Sequence, residues 1–233
     1  MENSEQYKAT LRYGIYGSVS TMIGILLSGP IGMVVVASVK PQPLWQGAQV
    51  FVANFHVVQT FPFFAGFALV AGYIVTMAAI YHIAPDNQKT PSLVALVLTS
   101  VFAALIMFNY INQTTFVPAL VREYRPEYDP LIAAFSFSNP NSVSWAIEMW
   151  GYALFGLATA AAAPVFNRKG PERATRWLMV ANGFLSVVGA IIVSGNLAWV
   201  FTTSGFIAYS AWNVLVFILS LCMIGSFRKR LKA

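Results

Sequence analysis

Six stretches of this chain run for twenty residues or more with almost no charge: Ile15–Val39, Phe63–His82, Leu93–Phe116, Ser142–Phe166, Trp177–Val200 and Gly205–Ser226. A helix needs about 20 apolar residues to cross the hydrocarbon core of a bilayer. The rest of the composition agrees: 58% of the residues are hydrophobic and 9% are charged, whereas soluble domains carry roughly 25% charged residues. A closed barrel is the other way to satisfy the backbone inside lipid, but it would appear as ten-residue alternating segments. The runs here are long and unbroken. The sequence therefore predicts an all-α polytopic membrane protein, one integral domain over residues 1–233, built as a bundle of six transmembrane helices.

The formal charge of +6 could suggest a nucleic-acid partner, but its distribution points to membrane topology instead. Lys8, Arg12, Lys89, Arg168, Lys169, Arg173, Arg176, Arg228, Lys229, Arg230 and Lys232 fall on one side of the predicted spans. Lys40, Arg122 and Arg125 fall on the other. Loops rich in Lys and Arg stay in the cytoplasm, so both termini are expected inside, as an even number of spans requires. The partners implied are membrane lipid and a small-molecule ligand, with no nucleic acid. No cleavable signal peptide is read at the N-terminus, where Glu2 and Glu5 precede the first span. The single cysteine, Cys222, has no intrachain partner and reads as a small buried hydrophobe.

Several local features refine the bundle. Ser20, Gly24, Ser28 and Gly32 recur every four residues, which places small side chains on one helix face where another helix can approach closely. Gly29-Pro30 should bend that helix. An additional outer interfacial or re-entrant helix is expected near residues 46–60, ahead of Pro62. The mixed-sign loop holding Arg122, Glu123, Arg125, Glu127 and Asp129 reads as a solvated outer lip. Trp45, Trp145 and Trp199 fit an aromatic belt at the outer surface.

Glu148 is the one acid inside these six runs, and no Lys or Arg joins it there. A charge at bilayer depth costs on the order of 2.5–3.5 kcal/mol by insertion scales, so such a group faces the bundle interior and finds partners. The topology brings neutral polar residues from other segments to the same outer level: Asn109 and Gln113 from the third span, Asn196 from the fifth, and Tyr209 and Asn213 from the sixth. The segment before the second span adds His56 and Gln59, and Tyr152 lies one turn below Glu148. Trp150 and Tyr152 are candidate aromatic walls for an organic ligand.

Three functions are compatible with this pattern. The first is an outward-facing polar pocket around Glu148 that binds or transports a small molecule or protons. The second is an intramembrane enzyme with Glu148 as general acid on a lipid or isoprenoid substrate. It would need a second acid–base group, and His56 or Tyr152 is offered. The third is a scaffold in which the cluster only fixes helix packing. No metal site or other cofactor is expected. His56 and His82 are too far apart to share a metal, and no lysine lies in a span to carry a retinal. Neither a phosphate-binding glycine loop nor a nucleophile elbow is present.

Overall fold

The computed structural model describes residues 2–166 and 169–232, with side chains from residue 5 onward. Arg168, counted above among the inner basic residues, lies outside the described residues. Among the described residues every regular element is helical: α1 (Glu2–Ser28), α2 (Pro30–Val39), α3 (Ala48–Asn54), α4 (Phe61–Ile83), α5 (Lys89–Ile111), α6 (Val117–Arg122), α7 (Asp129–Phe135), α8 (Val143–Ala162), α9 (Pro171–Gly195) and α10 (Thr203–Leu231). Six helical stretches are long and apolar enough to cross a membrane, with α1 and α2 together forming the first. The protein is an integral membrane helix bundle.

The spanning helices close into a ring. α1 packs on α4, α4 on α5, α5 on α8, α8 on α9, α9 on α10, and α10 returns to α1. The α1–α4 seam is the tightest for a simple steric reason: glycines face each other across it. A Cβ on Gly72 would sit 2.6 Å from the Gly17 carbonyl, and one on Gly17 would sit 2.6 Å from the Gly72 carbonyl. The Ser20 hydroxyl donates across the same seam to the Ala68 carbonyl at 2.8 Å. The four-residue repeat of small residues is therefore used, with Gly17 added to it. The centre of the ring is filled by aromatic side chains. Tyr73 lies 4.3 Å from Phe155 and 5.6 Å from Phe102 between ring centroids, and Tyr152 lies 4.8 Å from Trp212.

The expected bend is present. α1 ends at Ser28 and α2 starts at Pro30, whose ring nitrogen has no hydrogen to continue the ladder. Beyond it α2 leans toward α4, where a Cβ on Gly32 would lie 3.0 Å from Pro62 Cγ. The extra helix expected near residues 46–60 is found as α3 followed by a 3-10 turn over Val57–Thr60. Pro62 stands in the first turn of α4, where its missing N–H costs nothing. α3, α6 and α7 form a small lobe with its own core of Phe51, Val117, Leu120 and Ile132. It sits at the end of the bundle that the charge pattern reads as outer.

The fifth span begins earlier than its apolar run. α9 starts at Pro171 and carries Glu172 in its first turn. Glu172 is 0% exposed, and the Arg230 guanidinium donates to both its oxygens, at 2.8 Å and 3.1 Å. Arg230 also donates to the Val165 carbonyl at 2.8 Å and lies over the Phe166 ring. Glu172 is thus a fully buried acid within a spanning helix, and unlike Glu148 it has a basic partner. Hydropathy alone ended both runs short of this pair because it scores each charge by itself.

Candidate functional site

Glu148 lies on the second turn of α8 and faces α5. Asn109 Nδ2 donates to Glu148 Oε2 at 2.9 Å, and the Tyr110 hydroxyl donates to Oε1 at 3.2 Å. Tyr110 and Tyr152 hydroxyls are 3.0 Å apart. Because the Tyr110 proton is committed to Glu148, Tyr152 is the donor in that pair. The result is a line of oxygen atoms from Tyr152 through Tyr110 to the carboxylate. An ionised carboxylate offers about four acceptor positions, of which these bonds use two. No Lys or Arg lies within ion-pair distance of Glu148 among the described residues.

The supports of this group are local. Asn109 Nδ2 also donates to the Ser144 carbonyl at 2.9 Å, tying α5 to the start of α8. Its Oδ1 is buried and accepts no hydrogen bond, so an acceptor beside the carboxylate stands without a donor. Buried polar groups are overwhelmingly paired, which makes such an exception informative. Tyr110 is held by Phe63 and Phe67, at 5.6 Å and 6.0 Å between ring centroids. Gly66 makes room for it: a Cβ there would run into the Tyr110 ring. Just past Asn109 the α5 ladder widens into a single π-helical turn over Asn112–Phe116, a distortion frequent at functional sites.

The structure brings together Glu148, Asn109 and Tyr152, while Tyr209 of α10 is exposed and takes no part in these bonds. Gln113 lies one turn further along α5 and has a tying role. Its Nε2 donates to the Phe135 carbonyl at 2.6 Å and to Ser144 Oγ at 3.3 Å, and its Oε1 accepts from Phe137 N at 3.3 Å. Other candidates lie apart. Trp150 is 50% exposed, because two residues turn a helix by about 200° and carry it to the far face of α8. His56 is exposed, and its Nδ1 accepts from Val58 N to cap the turn that leads into α4. Gln59 donates to Asn54 O within its own segment. Asn196 is exposed where α9 ends. Asn213 is buried on α10 and donates to the Tyr209 carbonyl at 2.8 Å.

Tyr110, Ser144 and Gly66 are the site residues that sequence reasoning missed. Tyr110 follows Asn109 directly, and the pairing of a phenol with an amide at one helix level was the available signal. A second polar group lies deeper in the ring. Asn182 Nδ2 donates to Thr159 Oγ1 at 3.0 Å, and Trp212 Nε1 donates to Asn182 Oδ1 at 3.0 Å. It joins α8, α9 and α10 through neutral bonds alone. Comparison with known proteins assigns no role to either group: no family model matches the sequence, and neither a curated protein nor a solved structure matches it.

Proposed function

We propose that this membrane protein binds or transports a small molecule or protons at Glu148, in the half of the bundle facing away from the cytoplasm, with both termini on the cytoplasmic side. The observation that carries this reading is a part-exposed carboxylate with no basic partner among the described residues, set beside the orphaned Asn109 carbonyl. Keeping an acid in a membrane is costly, and Glu172 illustrates the structural solution, a bidentate arginine. Glu148 has amide and phenol donors instead, which leave its remaining acceptor positions for a group that donates. The Tyr152–Tyr110–Glu148 line supports a proton as well as an ammonium or hydroxyl group, because each oxygen is within hydrogen-bond distance of the next.

A second reading, that the cluster serves only to join α5 to α8, is favoured by the fact that both carboxylate oxygens have partners. Glu148→Gln separates the two. It preserves size and one carbonyl acceptor while removing the charge. Under the binding reading the variant keeps or raises its thermal stability in detergent and loses the thermal shift produced by small amines. A sharp fall in stability, with amine response intact, establishes the joining role.

A further inference from the structure

The bend at Gly29-Pro30 has a consequence on the other side of α10. α10 packs along α1, whereas α2 leans away toward α4. Between α2 and α10 this leaves a cleft of about 390 Å³, lined by Pro30, Met33 and Val34 from one side and Tyr209, Asn213 and Val214 from the other. Its size lies within the roughly 300–1,000 Å³ range of small-molecule sites. The wall is apolar for most of its extent, and Val34 and Val214 are more than half exposed. In a spanning bundle such a cleft opens sideways, toward the acyl chains.

Two observations connect it to the Glu148 cluster. Tyr209 and Asn213, one turn apart on α10, both line the cleft. Between them on the same helix, Trp212 packs edge to face against Tyr152, whose hydroxyl lies 3.0 Å from that of Tyr110 beside the carboxylate. The outer half of α10 is therefore the partition between cleft and carboxylate. That partition is thinly held, since Thr203, Ser204 and Phe206–Tyr209 are all exposed. Segments with few buried contacts are the ones that open most readily. The cleft also carries an unpaired acceptor of its own: Asn213 Oδ1 is buried against Gly29 and accepts no hydrogen bond. A ligand in this cleft meets a mostly apolar wall with no charged residue in its lining.

We infer that the α2–α10 cleft admits a single-chain amphiphile from the membrane, holding its apolar chain while a hydrogen-bond-donating ammonium head reaches Glu148. The inference rests on Glu148 being the ligand-facing group and adds the class of ligand and its route. Dialkyl phospholipids are too bulky for the volume, and anionic heads are repelled by the carboxylate.

The test uses the full chain in nanodiscs of zwitterionic phospholipid, with thermal unfolding as readout and three probes: dodecylamine, dodecyltrimethylammonium and butylamine. Dodecylamine is expected to raise the midpoint at concentrations at least a hundredfold below those needed for butylamine, because its eight extra methylenes leave water at about 0.8 kcal/mol each. Dodecyltrimethylammonium, which has the chain and charge but no N–H, should give little shift. Val214→Trp and Val34→Trp, each filling the cleft from one wall, should abolish the dodecylamine shift and leave the butylamine shift in place. Persistence of the dodecylamine shift in both cleft variants overturns the route; if Glu148→Gln still abolishes it, the Glu148 reading survives alone. Loss of the shift in the cleft variants with no effect of Glu148→Gln overturns the placement of the head. Equal shifts from dodecylamine and dodecyltrimethylammonium overturn the requirement for a donor.

Discussion

Replacing Arg230 with Met is the sharpest test of how the C-terminal end of α10 is held in the ring. Met approximates the length of the arginine stem but removes the guanidinium, so two charge-assisted bonds to Glu172 and one to the Val165 carbonyl disappear together. Hydrogen bonds to charged groups contribute about 1.5–3 kcal/mol each, so the pair of bonds to Glu172 sets a scale of about 3–6 kcal/mol. Measured losses on breaking one side of a buried ion pair fall at about 3–5 kcal/mol. Since Glu172 is 0% exposed, Arg230→Met should cost about 3–5 kcal/mol. The assay is reversible unfolding in mixed micelles, followed by tryptophan fluorescence and far-ultraviolet circular dichroism. Removing the acid as well should restore much of the loss, since paired hydrophobic replacement of a buried ion pair is often close to neutral. A loss below about 1 kcal/mol, the range of exposed pairs, would refute the argument that burial makes this contact strong.

Gly72→Val should destabilise the bundle by about 1–3 kcal/mol through overpacking, because a Cβ there would already lie 2.6 Å from backbone atoms of α1. Gly189→Ala, whose Cβ would make an ordinary 3.5 Å contact, should be neutral or stabilising in the same unfolding measurement. In the lobe of α3, α6 and α7, the Tyr124 hydroxyl donates to Asp129 at 2.7 Å, and that bond holds the Tyr124 pKa above its ordinary value. The neutral phenol is the bonded form, so this contribution to stability is present below about pH 10 and is lost as pH rises through the folded value. Phenolate absorbance should show Tyr124 titrating later than a free tyrosine, and Asp129→Asn should bring it back toward about 10; no change in that variant would refute the bond.

The bundle was legible because span length and charge asymmetry are one-dimensional properties. The bend at Gly29-Pro30, the helix near residues 46–60 and the apolar runs could all be read from local chemistry. The site was legible to the depth that topology allows. Knowing which way each span runs placed Asn109, Tyr152 and Glu148 at one level, and the side chains meet there. Facing was harder to read. Trp150 shares that level and points away, and His56 and Gln59 satisfy their own segment. The Glu172–Arg230 pair and the α2–α10 cleft depend on which helices become neighbours around the ring, and sequence spacing does not encode that. The direction in which α2 leans depends on Gly32 meeting Pro62, a contact between residues 30 positions apart.

If Glu148 is the group a ligand meets, its own carboxyl bands must respond to that ligand. Isotope-edited infrared difference spectroscopy of the carboxyl and carboxylate bands, on the protein in nanodiscs with and without dodecylamine, addresses it at the atom concerned. Amine should induce a change in a glutamate band that is absent from Glu148→Gln and retained in Glu172→Gln. An amine-bound protein whose Glu148 bands do not change, or whose difference spectrum survives Glu148→Gln, would contradict it.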